Sequence, residues 1–596
     1  MVLSRLKYFA RTPETYLGLA VLACLLFLIS GQVRVENFVF TRNGETKATS
    51  APFIQKFQYG EFFDVAFDVE APRSVAFDLN IIPDDCVESL FINGHDVDME
   101  NREGKCDYGR GFILTHDELA RYGAGEKAHV EMNVVNYAAH GGLNLLVKYA
   151  GPRTSSTVAK VALTIALALL CLFVCRRLRL PTFVPFVVAL GVALRVGFSF
   201  ALPDYTELGH DTDGHLAYMQ YVMEQKKVPG VDDCWCCYHP PLYYGVSSVV
   251  WKGMNALGLR AVDGIQTESV AFSILFLLIS VLILNKILPR LAVLPAAILL
   301  AFWPEFTFVS ARIGNDVLFY LFHVICLWGS LKYVQERSGK HLFVAVLASV
   351  LAILTKSTGA VSCGVLVLAL LLGYFGNRPS LRPSRWELAS IASFACLMAG
   401  FVVYKLVAGD SLVGNASGLH GGLRVGKDLG NFLAFDLRQF LTEPYTSPWN
   451  DEMGRQYFWN YTGKTALFGQ FRILENEFGL AMASLVSVSF LGLVVYAIRG
   501  LWNVKWNKSL ALMLAQGILF VFALMALRYK VPFACSNDFR YIVPSLLSFI
   551  SFAVMGIRVP EASFKWKCLG YSIEFIFVVS SVALVVATAL SYSSAG

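Results

Sequence analysis

The feature that most constrains this chain is the recurrence of apolar stretches about 17–25 residues long, each able to cross a hydrocarbon core about 30 Å thick. Inside a bilayer no water is available to the peptide groups, so such a stretch closes its hydrogen bonds within itself and forms a helix. The composition agrees. Of 596 residues, 56% are hydrophobic and only 16% are charged, where a soluble protein carries about 25%. The mean hydropathy is +0.54. These values imply a polytopic α-helical membrane protein and exclude a soluble globular one.

The net charge of +6 is informative by position. Basic residues cluster in short connectors: Arg5/Lys7/Arg11, Arg176/Arg177/Arg179, Lys286/Arg290, Lys332/Arg337/Lys340, Arg378/Arg382/Arg385, Arg499/Lys505/Lys508 and Arg558/Lys565/Lys567. Positive connectors stay on the cytoplasmic side. Placing all seven inside predicts about thirteen spans with the C-terminus outside. After the first come spans near 157–174, 182–202, 267–286, 291–308, 315–334, 341–357, 361–376, 387–407, 476–498, 508–528, 541–557 and 568–592. The charge orients helices, so a nucleic-acid partner is not indicated. The opening segment 1–32 has a basic start, but its apolar run is long and lacks a small-x-small cleavage site, so it reads as an uncleaved first span. Arg195 falls inside a span and requires a helix partner or a cavity.

Residues 33–152 form the one sizeable block without spans. Here "VAFDVEAPRSVAFDLNIIPDDCVESLFINGHDVD" alternates apolar and polar residues, with turn signals at Pro-Asp-Asp and Asn-Gly. This predicts an all-β sandwich or jelly roll on the outer side, ahead of a polytopic domain at 153–596 with outer loops 203–266 and 408–475. The stretch 240–258 is apolar but carries Lys252, and reads as a juxtamembrane helix.

The outer loop 203–266 holds the densest polar chemistry. In "GHDTDGHLAYMQYV" two aspartates and two histidines fall within seven residues, directly after a span. From Gly214 onward Leu216, Tyr218, Met219, Val222 and Met223 recur at helical spacing, which predicts an amphipathic helix along the interface. Asp211 and Asp213 sit at its start, where a carboxylate caps the helix and meets the positive end of its dipole. One of the two is expected to do only that. The following "CWCCYH" offers three thiols and His239. Its spacing is too tight for a zinc site and no second pair is evident, so disulfides in an oxidising compartment are the better reading. His239 either packs ahead of Pro240 or contacts substrate. The triplets at Asn415, Asn460 and Asn507 match glycosylation acceptors, which arise often by chance.

A carboxylate, a histidine four residues on and a tyrosine seven on, followed by "HPPLYY", is similar to the first outer loop of the GT-C superfamily. These are multispanning glycosyltransferases that use polyprenyl-phosphate sugars, and the block resembles protein mannosyltransferases and the aminoarabinose transferase of lipid A. "FWPEFTFVSARIGNDVLFYL" (302–321), "LAILTKSTG" (351–359), the outer-loop stretch 440–471 and "CSNDFRY" (535–541) extend the resemblance over roughly 182–560. It implies that Asp211 is the base that deprotonates the acceptor, paired with His215, with Asp213 the second choice. Tyr218, His239 and Tyr243 are implied as substrate contacts within the same block. The block 33–152 departs from minimal members. Its turn pattern resembles the jelly-roll sugar-binding modules attached to many glycosidases, and its position resembles that of the module in mycobacterial arabinosyltransferases. Cys86 and Cys106 are candidates to bridge a loop there.

A polyprenyl phosphate leaves with its charge at the membrane surface, so transfer needs cations there and one base for the incoming hydroxyl. Arg312, Lys356 and Arg540 are the expected phosphate-side cations, with Arg438 and Arg455 read as loop anchors. Asp316 either pairs with Arg312 or binds substrate, and Asp538 stands beside Arg540. No cofactor is required by this scheme, although a divalent metal stays open. The expected partners are a polyprenyl-phosphate sugar, a glycan or glycolipid acceptor and the bilayer. The expected place is a bacterial inner membrane with the site on the periplasmic side. A transporter, flippase or polymerase of lipid-linked glycans is the alternative. Transporters usually carry inverted repeats around midplane sites, and no repeat is visible here.

Overall fold

The computed structural model describes residues 13–595 except 31–33, 50–51, 71–76, 108–110, 124–126, 138–139, 150–153, 203–207, 210, 232, 258, 377–383, 408–422, 448–455 and 560–562. Arg455 and Asn415 lie outside the described residues.

The N-terminal block builds two antiparallel sheets. One holds six strands in the order Glu45–Ala48, Arg34–Arg42, Glu61–Glu70, Lys127–Asn136, Cys86–Ile92, His95–Val97. The other holds four, Phe53–Lys56, His140–Tyr149, Phe77–Pro83 and Phe112–Leu114. Alternation dictates which face is buried. In Glu61–Glu70 the side chains of Phe63, Val65, Phe67 and Val69 enter a core shared with Phe77, Leu79 and Ile81 of the other sheet. Asn93-Gly94 turns the Cys86–Ile92/His95–Val97 hairpin with both residues at positive φ, 50° and 78°, as a two-residue turn of this twist demands. Cys86 and Cys106 are joined by a disulfide. The second face of the four-stranded sheet is covered in part. Asn80, Ile82 and Asn144 on it are buried, and Phe53–Lys56 packs on the helix Thr212–Gln225 of the outer loop.

Nine helices among the described residues are long and apolar enough to cross a membrane, or ten if one bent pair counts as a span. The expected count of about thirteen is not confirmed among the described residues, and two of the expected spans differ in form. The segment read as 291–308 breaks by 53° between Arg290–Ala301 and Pro304–Ser310. Pro304 opens the second piece because its missing N–H costs nothing at a first helical position. The segment read as 341–357 is a helix of 17 residues, Gly339–Thr355. The juxtamembrane stretch is the helix Leu242–Ala256, packed on Ala261–Ile287 and on the outer-loop helix.

Arg195 explains how the break is tolerated. Its Nη1 donates to Ala301 O at 2.8 Å and to Gly191 O at 2.9 Å, and its guanidinium lies 4.2 Å from the Phe306 ring centre. A carbonyl released by the broken helix thus finds a donor inside the bundle. A second polar link fixes the far wall of the site. His323 joins Ser362 at 2.9 Å and Gln516 at 2.9 Å, and Gln516 Nε2 donates to Pro544 O at 3.2 Å. That carbonyl belongs to the irregular turn Phe539–Ser545, which carries Arg540.

Candidate active site

Asp211 is the residue preceding the helix Thr212–Gln225, at φ 53° and ψ 26°. Aspartate tolerates this left-handed region better than most residues, and the conformation turns its side chain away from the helix. Asp211 makes no capping bond, so the cap expected of one of the two aspartates is not made by this one. Its Oδ1 instead accepts from Trp235 Nε1 at 3.2 Å, and its Oδ2 stands 3.6 Å from Arg540 Nη2. Burial raises the Asp211 carboxyl, but Arg540, His215 and the indole N–H outweigh it and hold the group below the usual carboxylate range. The Trp235 loop is closed by a Cys234–Cys237 disulfide. It lies so close to the helix that a Cβ on Gly214 would stand 2.6 Å from Cys236 Sγ and 2.9 Å from Trp235 Cδ1.

Asp213, in the first turn, has a different environment. It lies within electrostatic reach of Asp84 of the β unit. Burial pushes the Asp213 carboxyl up to about 6. Burial, helped by Asp213 and Asp85, pushes that of Asp84 up to about 7.

One helical turn on, the His215 amide donates to Asp211 O at 3.0 Å, and its Nδ1 shares a hydrogen bond of 2.8 Å with Tyr244 OH. Burial pushes this imidazole down to about 4, so it is neutral at physiological pH. Its ring stacks 5.7 Å from His239. Tyr218 stacks on Tyr244 at 3.7 Å and donates to His239 O at 3.3 Å. Tyr243 OH accepts the Gly314 N–H at 3.0 Å. Tyr218, His239 and Tyr243 therefore stand behind His215 and brace it, and none of them lines the cavity.

Asp316 opens the helix Asp316–Glu336 and pairs with Lys356, whose ammonium also lies 4.6 Å from the Tyr541 ring centre. Asn315 Nδ2 donates to Thr355 O at 3.2 Å and ties the two helix ends together. Arg312 takes a different partner from the one considered above. Its guanidinium bonds both oxygens of Glu305, at 2.9 and 3.4 Å, in the helix beyond the break. The side chain reaches back to that helix, while Asp316 faces the end of Gly339–Thr355. Arg540 is shared. Its Nε lies 3.3 Å from Asp538 Oδ2, and its Nη2 lies 3.3 Å from Tyr541 OH.

The cavity among these groups is lined by His215, Val309, Arg312, Ile313, Gly314, Asp316, Val317 and Arg540. Four expected site residues, His215, Arg312, Asp316 and Arg540, thus share one pocket, with Asp211, Lys356 and Asp538 each touching one of them. Sequence reasoning passed over Glu305, Trp235, Tyr244 and Gly314. Glu305 carried a signal, since an acid inside an apolar run needs a partner. Gly314 and Trp235 carried none, because their contributions are a backbone N–H and a loop approach.

Residues 249–403, about a quarter of the chain, match the family model described as dolichyl-phosphate-mannose-protein mannosyltransferase. Among solved structures, the chain is similar to ArnT from Cupriavidus metallidurans bound to undecaprenyl phosphate, at 12% identity and a TM-score of 0.41, over 68% of this chain and 76% of that one. It is also similar to the Archaeoglobus fulgidus oligosaccharyltransferase in the apo form, at 11% identity and a TM-score of 0.40, over 68% of this chain and 55% of that one. Arabinosyltransferase EmbB from Mycobacterium smegmatis aligns at 11% identity and a TM-score of 0.39, over 97% of this chain and 63% of that one. No curated protein matches the chain.

Proposed function

We propose that this protein moves a sugar from a polyprenyl-phosphate donor to a hydroxyl of a glycan or glycolipid at the outer face of the membrane, with Asp211 as the base. The observation that carries the reading is the Asp211–Arg540 contact at 3.6 Å, beside a cavity that Arg540 lines with Arg312 and His215. The description of the matched family names a donor of the same chemical class, a dolichyl-phosphate sugar.

In the resting site Arg540 holds the carboxylates of both Asp211 and Asp538. An arriving donor phosphate competes for the same guanidinium, which grips phosphate through paired hydrogen bonds. As Arg540 turns toward the phosphate, Asp211 loses its cation and becomes more basic. Asp211 then takes the acceptor hydroxyl proton while that oxygen bonds the anomeric carbon. The bond from that carbon to the phosphate oxygen breaks, and its electron pair leaves with the polyprenyl phosphate, next to Arg540 and Arg312. A single displacement of this kind inverts the anomeric centre. His215, neutral and fixed by Tyr244, offers a hydrogen-bonding edge to the phosphate without adding charge. The proposed site is a bacterial inner membrane facing the periplasm, with the β unit holding the acceptor glycan.

The test is transfer of labelled sugar from a panel of polyprenyl-phosphate donors by wild type, Asp211→Asn and Asp213→Asn. The reading expects transfer by wild type and Asp213→Asn, and loss in Asp211→Asn with donor binding retained. Binding of lipid-linked glycans with no product from any donor would instead point to a transporter or polymerase.

A further inference from the structure

Near Arg540 of the phosphate-side cavity, a second group of buried side chains carries polar atoms that the fold leaves without strong partners. The helix Phe458–Phe468 lies across the turn Ala534–Asn537 that leads into Arg540. Two threonines clamp them together. Thr462 Oγ1 donates to Asn537 O at 3.1 Å, and Thr465 Oγ1 accepts from Phe539 N at 3.0 Å. The backbone is therefore satisfied and rigid. The side chains are not. Asn537 is fully buried, and neither its amide nitrogen nor its oxygen has a partner among the described residues. Tyr461, one position before Thr462, is also fully buried with an unpaired hydroxyl. Gln470, 5% exposed, has only the Cys535 thiol, a weak acceptor, near its Nε2. The Tyr461 phenol stands within electrostatic reach of Cys535, Asp538 and Arg540, and Gln470 lies beside Cys535, so the three groups share one neighbourhood.

Proteins rarely leave a buried amide or phenol unpaired, because the group loses water and gains nothing in exchange. An asparagine offers two donors and two acceptors, and a tyrosine one of each. That set matches the vicinal hydroxyls of a sugar ring, each both donor and acceptor. Asn537 sits one residue from Asp538 and three from Arg540, the guanidinium that meets the phosphate in the reading above.

We infer that Asn537 and Tyr461, with Gln470 beside them, form the subsite that recognises the hydroxyls of the donor sugar and so determines which glycosyl phosphate is used. The inference rests on the proposed donor class and assigns its specificity. Asp211 and Arg540 handle the reacting bond, whereas these residues read the rest of the ring. A pocket that hydrogen-bonds a hydroxyl rejects a sugar lacking it far more strongly than an apolar pocket does.

The experiment compares binding of bare undecaprenyl phosphate with binding of a panel of undecaprenyl-phosphate hexoses and pentoses, using full-length wild type, Asn537→Leu and Tyr461→Phe. Wild type is expected to bind one glycosylated lipid more tightly than the bare one. Each variant is expected to weaken that lipid about tenfold or more, while bare undecaprenyl phosphate stays within about twofold. The inference is overturned if both lipids bind the variants as they bind wild type, the polar groups then being served by buried water. It is overturned equally if the two lipids weaken together in a folded variant, which marks a structural role. Wild type binding neither lipid overturns the donor class, and the subsite with it.

Discussion

Asp211 Oδ2 and Arg540 Nη2 meet at 3.6 Å although one residue precedes the first outer-loop helix and the other stands at the entrance to one of the last apolar helices. In the proposed mechanism this contact holds the carboxylate ionised until the donor phosphate takes its place. Replacing Arg540 by Met should lower turnover about 10²–10³-fold, the range seen when one transition-state charge partner is lost. It should also move the acid limb of the pH–rate profile upward, because the cation that depresses Asp211 is gone. An acid limb that does not move in Arg540→Met would sink the pairing as the source of the low value.

Lys356 and Asp316 form a buried pair between two helix ends. Removing one partner strands a charge, so Lys356→Met and Asp316→Asn should each cost about 3–5 kcal/mol. The double variant should cost clearly less than the sum of the two, since neither charge is then left alone. Thermal unfolding in detergent checks this, and additive losses would show that the two groups act independently.

The seam between the β unit and the outer-loop helix holds Asp84 and Asp213, both raised by burial, to about 7 and about 6. Because the folded-state values lie above the unfolded ones, the folded protein binds extra protons. Its stability therefore falls as pH rises from about 4 through the folded values. Asp84→Asn should unfold at higher temperature than wild type at pH 8, by about 1–2 kcal/mol of stability, and match it at pH 4. Equal melting at both pH values would show that the carboxyl is solvated.

Gly214 lets the disulfide-closed loop approach closely enough for Trp235 to reach Asp211. Gly214→Ala should push that loop outward and lower transfer about tenfold, with only a small change in melting temperature. Trp235→Phe should lose activity to a similar extent, since both changes remove the same hydrogen bond. A Gly214→Ala protein with full activity would show that the loop yields without disturbing the carboxylate.

The polytopic helical class, the β block at 33–152 and the loop helix after Asp211 were legible in the order of residues, because each rests on periodicity and length. Span length, alternation and the 3.6-residue repeat are local properties that neighbouring residues impose on one another. The membership of the site was legible in part. Charged residues inside or beside apolar runs mark themselves, which is why Arg312, Asp316, Lys356 and Arg540 stood out. Their pairing was not legible. Whether Arg312 takes Asp316 or Glu305 depends on the 53° break at Ala301–Pro304 and on Gly469, where a Cβ at φ 68° would stand 2.7 Å from both Arg312 Nη2 and Glu305 Oε2. Which of Asp211 and Asp213 faces Arg540 turns on a left-handed φ of 53° at Asp211, while its neighbour lies near Asp84 of the β unit. Local patterns determine which helices and strands exist. Contacts between distant segments, made only when those elements pack, decide which charge faces which.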